Sequence, residues 1–559
     1  MVNFSNSAGT DTVYYREQGP WQRFSGVYGT SNKQLHVPLS GDRLTVTHNG
    51  FVRQFNDQLQ EVAFWDGVAG QSLQPAAAVA RSGGGSWVAS SGHGLARLGM
   101  GGPGEAFYPN GPKNSSVYRM GSSGGEVYVG TGGVANNWGN YFLKYGVHRF
   151  KENTWSTTDR SNDPLFATGA NTFGGTVNDM MGVAVDPDDP DHVFVGSWDE
   201  GVVELRNGSV VQIHNPTNSS LQYIPISAAE GAVQVAGLTF DRDDNLWVTN
   251  SNCTSPISVR QKNGTWRAFN PGSAVSGNTL LSDIVVDDNG YKWMVRPRGS
   301  GLLVFDDGGT LGDTGDDRYK ALNTSEGSGK LPSADVFSVA VDQDGEVWVG
   351  TGKGVAVFYN PFSVFDNSGG DAQQVLLEQD GNYQLLLETE SVSAIAVDGG
   401  DRKWLGTQNA GVFLVSADGT ELLEHFTADN SPLPGNNIVS IAIDGVTGEV
   451  FLGTDQGIVS FRGTATEGGE DAECASVFPN PVRETYTGPV AITGLMRDSD
   501  VRVTDVAGNL VYRTTSLGGQ AIWPATDLNG QRVSTGVYLI LASDASGTYS
   551  CNTKVVVVR

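Results

Sequence analysis

Long apolar runs, a leader segment, a cysteine framework and a basic surface are all missing from this chain of 559 residues. No stretch approaches the ~18 apolar residues of a membrane-spanning helix. The opening MVNFSNSAGTDTVYYREQGPWQRFS holds no apolar core of the kind that directs secretion. Either the chain is cytoplasmic or it lacks its natural start, and the repeats described below favour the second. Cys253, Cys474 and Cys551 cannot all pair, and none sits in a C-x-x-C. Buried or free thiols are expected, with a Cys474–Cys551 bridge as the alternative. Charged residues are only 17%, which excludes a coiled coil. With 35 basic against 61 acidic residues the net charge is −26. Such a field repels a phosphate backbone and an anionic bilayer, so neither nucleic acid nor a polybasic membrane contact is expected.

What is abundant is glycine and aromatic side chains: 75 Gly, 12 Trp, 17 Tyr and 23 Phe. That is too apolar for disorder and reads as many short strands joined by tight turns. The length exceeds one hydrophobic core and implies two to four domains.

A repeat decides the fold. Residues 183–197, 238–250, 284–295, 339–351, 395–407 and 441–454 share one pattern. An apolar alternating strand ends in Asp. A turn of Asp, Asn and Gly follows, then a second strand carrying an aromatic residue. A third strand opens on Gly: GVVEL (201–205), GLLVF (301–305), GVAVF (354–358), GVFLV (411–415) and GIVSF (457–461). The turn needs positive φ or a side-chain cap, which Gly, Asn and Asp supply. The aromatic fills the space between neighbouring sheets, and the Gly allows close backbone approach. The second-strand anchors are Leu44, Trp87, Tyr128, Phe194, Trp247, Trp293, Trp348, Trp404 and Phe451. Their spacing is that of β-propeller blades with variable loops. VYYREQGPW (13–21), VHRFKENTW (147–155) and VRQKNGTW (259–266) read as fourth-strand signals. The first has no blade before it, so the chain starts inside a blade. The anchors Tyr128 to Phe451 then close a seven-bladed propeller over 113–464. Residues 1–112 are the last blades of an incomplete first propeller. A single nine-bladed ring is the alternative.

The last blade shows no fourth-strand signal. A propeller closes when its first and last blades are joined. Residues 105–108 are therefore expected either to pair with 457–462 as a closing strand or to finish the blade containing 94–98.

Residues 465–475 form a polar, glycine-rich linker. Residues 476–559 then carry strands VAIT (490–493), VRVTDVAG (501–508), LVYRTT (510–515), GVYLILAS (536–543) and TKVVVVR (553–559), with hairpin turns at 507–509 and 527–530. This reads as an immunoglobulin-like β-sandwich. The fold class is all-β: part of one propeller, a complete seven-bladed propeller and a sandwich.

Catalytic patterns are weak. Gly121-Ser122-Ser123-Gly124-Gly125 matches G-x-S-x-G but precedes a strand, so it is a β-turn rather than a nucleophile elbow. The seven His residues contain no pair within four positions, and each is expected at a surface or blade edge. Asp306 and Asp307 with Asp313, Asp316 and Asp317 offer oxygen ligands for Ca²⁺, but the spacing is not an EF-hand and a solvated loop is the simpler reading. The turn at Asp342 is close to a sialidase Asp box, which marks a fold rather than a catalyst. No metal, no cofactor and no catalytic residue is assigned. The positive case is binding: exposed aromatics on a propeller face suit sugar rings.

The C-terminal motif carries a resemblance. Pro479-Asn480-Pro481, the Asp505–Gly508 turn, Gly536 with Tyr538, and Lys554 before the terminal valines are similar to the C-terminal domains of type IX secretion substrates. With Gly518–Trp523 and the Asp527–Arg532 turn, the whole chain resembles a family of cell-surface components of the type IX attachment complex. Those have two seven-bladed propellers, of the two-component-regulator type, before such a sandwich. The resemblance implies a non-enzymatic protein peripheral to the outer membrane of a Bacteroidetes-type bacterium, whose native form carries a signal peptide. It implies partners: the sortase PorU, the outer-membrane protein PorV, and PorQ. It also implies that the chain holds anionic lipopolysaccharide for the sortase. A secreted cargo protein, with a propeller that binds or degrades polysaccharide, is the rival. The sensor of a hybrid two-component system is a weaker one, because no membrane span or kinase follows the sandwich.

Overall fold

The computed structural model describes all residues except 1, 6–10, 17–18, 25–33, 37–42, 69–70, 83, 92–93, 101–103, 109, 169–176, 226–230, 276–278, 367–369, 380, 469–475, 545–546 and 548. Apart from one short helix, Pro164–Thr168, and two 3-10 turns, its regular elements are strands. The chain divides into two compact units, Met1–Gly111 and Pro112–Arg559.

The first unit holds a three-stranded sheet (Val2–Ser5, Asp11–Tyr15, Gln22–Arg23) and two four-stranded meanders, Gln34–Trp65 and Pro75–Phe107. Glu105–Phe107 is the outer strand of the second meander, with Leu95 opposite Phe107 and Arg97 opposite Glu105. It therefore finishes its own blade, and the closing strand envisaged for 457–462 is not formed by 105–108. Local hairpin pairing wins because only a short turn separates 94–98 from 105–107.

The second unit contains seven successive antiparallel sheets. Their first strands are Arg119–Ser123, Met180–Val185, Gln234–Phe240, Ile284–Val286, Val336–Val341, Val392–Val397 and Ile438–Asp444. We number them blades one to seven. Each first strand packs on the next, and the seventh packs on the first, so the ring is closed. At the seam the Met120 N–H donates to Ser440 Oγ (3.0 Å) and Ser122 Oγ donates to the Ile443 carbonyl (2.6 Å). Closure rests on this packing rather than on a shared sheet. Among the described residues blade seven has three strands, the last being Gly457–Arg462.

One turn recurs in blades three to six. Asp241, Asp287, Asp342 and Asp398 each end a first strand. The Oδ1 of each accepts the N–H groups two and four residues on, at 2.8–3.1 Å. The Oδ2 accepts the indole N–H six residues on: Trp247 (2.8 Å), Trp293 (2.9 Å), Trp348 (2.8 Å) and Trp404 (3.1 Å). These indoles are fully buried, each packed on the following blade. Tyr128, Phe194 and Phe451 occupy the same place in blades one, two and seven. Trp87, in the first unit, is only partly buried and packs on Phe107 at 5.5 Å.

The segments read as fourth-strand signals are third-to-fourth hairpins. Val147–Lys151 and Thr154–Thr158 pair across the turn at Glu152-Asn153, and Ile257–Arg260 pairs with Trp266–Phe269. The pattern was misplaced by one strand because it straddles the turn.

After the propeller, Ser476–Phe478, Val490–Thr493 and Gln520–Trp523 form one sheet. Leu510–Thr515, Asp500–Asp505, Gly536–Ser543 and Ser550–Val557 form the other. They enclose a core of Val490, Ile492, Val501, Val503, Trp523 and Ile540. The strand Gln520–Trp523 lies in the Gly518–Trp523 segment that carries part of the resemblance. Cys551 is disulfide-bonded and Cys253 is a buried free thiol, so the expectation that no cysteine pairs is overturned; Cys474 lies outside the described residues. Residues 464–467 are not a loose tether. Thr466 bridges Gly518, and the Glu467 N–H donates to the Gly445 carbonyl (2.7 Å).

The third-strand glycines have a direct test. Gly411 has φ +79°, and a Cβ there would fall on the Phe426 carbonyl oxygen of the fourth strand. At Gly457, in the blade with no fourth strand among the described residues, the nearest atom to such a Cβ is Ser115 Cβ at 3.6 Å. Gly411→Ala is expected to cost ~3 kcal/mol through clash and strain, and Gly457→Ala ~1 kcal/mol through strain alone. Chemical unfolding of the two variants side by side checks the order.

Candidate binding surface of the propeller

The loops that join second to third strands lie at one end of the ring. In blade one this loop, 131–146, carries the sequence TGGVANNWGNYFLKYG. Tyr141, Phe142 and Tyr145 stand out from it, 55%, 59% and 42% exposed. The loop is anchored from beneath. Asp179 is fully buried at the start of blade two, and its carboxylate accepts the N–H groups of Phe142 (2.8 Å) and Leu143 (2.9 Å). Burial pushes the Asp179 carboxyl upward in pKa, against the bonds from those N–H groups. The Trp138 carbonyl accepts the Trp198 indole N–H (3.0 Å), and the two rings meet edge-on at 5.3 Å. Trp138 and Val134 pack on Met181, Trp198, Ala236 and Leu280, near the first strands of blades two to four. An ordered aromatic platform therefore sits over this end of the ring. Sequence reading did not single these residues out, although four aromatics in eight positions between two strands was a usable signal.

Arg119 spans the middle of the ring. From blade one its guanidinium donates to both oxygens of Asp283 before blade four (2.9–3.1 Å) and to the carbonyls of Val439 (2.8 Å) and Phe337 (3.3 Å). Burial opposes its charge, but Asp283 outweighs that and raises its pKa. Burial also pushes the neighbouring Tyr118 phenol up to about 12. The tie joins blades on opposite sides of the ring, so the central channel is crossed rather than open.

The other candidates resolve into structural roles. Ser122 lies within the strand Arg119–Ser123, with no helix after it, and bonds the Ile443 carbonyl. His48, His148, His192 and His214 are buried rather than peripheral. His192 and His214 each bond one oxygen of Glu204, at 2.9 and 2.7 Å, and His192 also bonds Asp186 (2.9 Å). These histidines are buried because they close polar networks within blade two. Asp306 is paired with Arg318 and Asp307 with Lys292 (2.7 Å). Their charges are thus already satisfied, and among the described residues no group of His, Cys, Asp and Glu is arranged to hold a metal. The Asp342 carboxylate is a turn cap and an indole acceptor, and it pairs with the fully buried Lys403 (2.9 Å).

In the sandwich, the side chain of Asn480 imitates a strand. Its Nδ2 donates to the Lys554 carbonyl (3.0 Å) and its Oδ1 accepts the Val556 N–H (3.1 Å). Pro479 and Pro481 flank it, each after a cis peptide bond. Asp505 caps the turn containing Gly508 (φ +87°), accepting N–H groups from Ala507 and Asn509 at 2.9 Å. Gly536 pairs with Val557, and Tyr538 Oη donates to the Ser534 carbonyl (2.9 Å).

Residues 476–558 match the secretion system C-terminal sorting domain, and residues 330–353 match the two component regulator propeller. The chain is similar to PorZ, an essential bacterial surface component of the type-IX secretion system of Porphyromonas gingivalis. The identity is 26% and the TM-score 0.69, with 100% of this chain and 74% of that chain covered. The extracellular domain of a hybrid two component system from B. thetaiotaomicron matches at 12% identity and TM-score 0.43, over 100% and 72% of the two chains. No curated protein sequence matches the chain. The similarity to PorZ and the sorting domain tie the chain to type IX secretion. No helix among the described residues is long and apolar enough to cross a membrane.

Burial gives a pH prediction. His148 is fully buried, bonds Thr157 Oγ1 (2.8 Å), and burial pushes its imidazole down to about 4. The unfolded chain therefore binds the proton first as pH falls. His148 supports the fold fully above pH ~6.5, and that support is lost between about 6.5 and 4, about 3 kcal/mol in all. His148→Asn should flatten the stability profile over this window, as denaturant midpoints measured from pH 7 to pH 4 will show.

Proposed function

We propose that this PorZ-like chain is a non-enzymatic component of the type IX secretion attachment complex at the outer surface of the cell, where it holds anionic lipopolysaccharide for the sortase. The observation that carries the reading is likeness to PorZ along the whole chain, including the sorting domain. Its partners would be a PorU-like sortase, PorV and PorQ. The platform of Tyr141, Phe142 and Tyr145 is where we place the sugar rings, since C–H groups of a pyranose stack on aromatic faces.

A second reading has one observation of its own. A C-terminal sorting domain also belongs on cargo, which would make this a secreted protein with a polysaccharide-binding or polysaccharide-degrading propeller. Mass spectrometry of the surface-exposed protein separates the two. Retention through Arg559 is expected for a resident component; loss of the residues after about 475 would mean cargo.

Charge makes the glycan reading sharper. A chain of net charge −26 repels an anionic polysaccharide at long range, so the rings rather than the charges must supply affinity. Binding of purified anionic lipopolysaccharide should therefore strengthen as salt rises from ~50 to ~300 mM, as screening removes the repulsion. Tyr141→Ala with Phe142→Ala should weaken it at least ~10-fold, about 1.4 kcal/mol, without lowering the unfolding temperature. Binding that weakens with salt, or ignores the double substitution, overturns the placement.

A further inference from the structure

The third strand of a blade is an interior strand. In blade five, Gly354–Phe358 is buried throughout between its second and fourth strands. In blade four Leu302–Asp306 is likewise buried throughout. Blade seven has a third strand of the same type, Gly457–Arg462 with sequence GIVSFR, and no fourth strand pairs with it among the described residues. Its Phe461 is 40% exposed, whereas the equivalent Phe358 is 2% exposed.

The edge has a readable hydrogen-bonding phase. The Gly463 N–H donates inward to the Gly448 carbonyl (2.8 Å). Alternate residues of an antiparallel strand share a direction, so Phe461, Val459 and Gly457 also bond inward. Ile458, Ser460 and Arg462 then turn their N–H and carbonyl groups outward. The side chains alternate as well. Phe461 packs on Trp404 and Phe426 of blade six, with centroids at 5.9 and 5.0 Å, and Ile458 packs toward blade one. An interior-type strand left as an edge is a template for pairing, and proteins usually blunt such edges with proline or several charges. This one has a single charged residue, Arg462, and no proline.

We propose that the outer edge of Gly457–Arg462 is a strand-addition site. It takes an extended segment of a partner protein as the fourth strand of blade seven. The segment alternates apolar and polar residues, so that an apolar side chain covers Phe461 and Phe426. It is neutral or basic, because the chain carries a net charge of −26. The same net charge disfavours a second copy of this chain as the occupant. The site is independent of the aromatic platform and of the glycan reading.

The test uses the full chain and a peptide copying residues 264–270, GTWRAFN, which includes the basic outer strand of blade three. In the free protein, hydrogen exchange should be fast at the amides of Ile458, Ser460 and Arg462 and slow at Val459 and Phe461. Adding the peptide should slow the three fast amides at least tenfold. Ser460→Pro removes an outward N–H without touching an inward bond, so the fold should persist while peptide affinity falls at least tenfold; Arg462→Pro serves if the first variant unfolds. The peptide carrying Arg267→Glu should bind more weakly. Three results would overturn the proposal: outward amides already slow in the free protein, no protection by millimolar peptide, or a dimer of the chain that Ser460→Pro dissolves.

Discussion

A carboxylate that closes a turn and catches an indole six residues later is the interaction on which the propeller depends. Asp241, Asp287, Asp342 and Asp398 each perform three tasks with one side chain. They satisfy two turn N–H groups, fix the register of the hairpin, and hold the tryptophan that fills the space before the next blade. Local turn chemistry and long-range packing are thereby the same event. The three blades without this arrangement are one, two and seven, which are neighbours around the ring. There the place of tryptophan is taken by Tyr128, Phe194 and Phe451, and the turn acids bind other partners, such as His192 at Asp186 and Thr447 at Asp444. The regular half of the ring is stapled by polar contacts. At the seam, Phe150, Trp155 and Phe451 meet by ring packing.

The same chemistry explains the charge. Many of the 61 acidic residues are turn caps rather than a functional surface: those four, and in the sandwich Asp505 and Asp527. Each is chosen because a short carboxylate reaches backbone N–H groups two and four residues on. The acidic composition that argues against nucleic acid is thus a by-product of building so many hairpins. Some acids that are buried are neutralised by an equally buried lysine. Lys403, with no exposed surface, lies between Asp342 and Asp401 (2.9 and 3.3 Å), and Lys292 meets Asp307 over the Trp247 ring at 4.1 Å.

Much of this was legible because it is local. Period-two alternation, a turn acid, an aromatic at a fixed offset and an opening glycine all fall within one repeat. What escaped the sequence depends on distant residues. Arg119 and Asp283 are separated by 164 positions, and nothing near either marks the pair. His192 and His214 look like surface residues until Glu204 is placed between them. Gln520–Trp523 is too short and too close to glycines to show a period, and it becomes a strand because Val490–Thr493 lies beside it. The aromatic platform was visible as composition but not as a surface, since Asp179 and Trp198 beneath the loop fix which rings face outward. Residues 105–108 were ambiguous between two partners, and the nearer one took them.

The seating of the sandwich bears on whether it is machinery or a removable signal. Residues 464–467 run between propeller turns and the sandwich, and the approach is close enough to exclude side chains. A Cβ at Gly399 or at Gly518 would fall on the Thr466 carbonyl oxygen. Gly519 N–H donates to that same oxygen (2.9 Å), and Leu495 N–H donates to Gly519 (3.0 Å). Arg497 of the sandwich reaches Asp344 and the buried Asp401 of the propeller, at 3.4 and 3.8 Å. A signal meant for removal needs an accessible, weakly held junction, because a protease must bind the chain in extended form. Residues 464–467 instead meet backbone from both sides, with glycines at the points of closest approach. Cutting after about 475 would leave Thr466 and Asp401 without the sandwich groups they now meet. The contacts at 464–467 and at Arg497 accord with the proposal of a resident component that keeps its C-terminal domain.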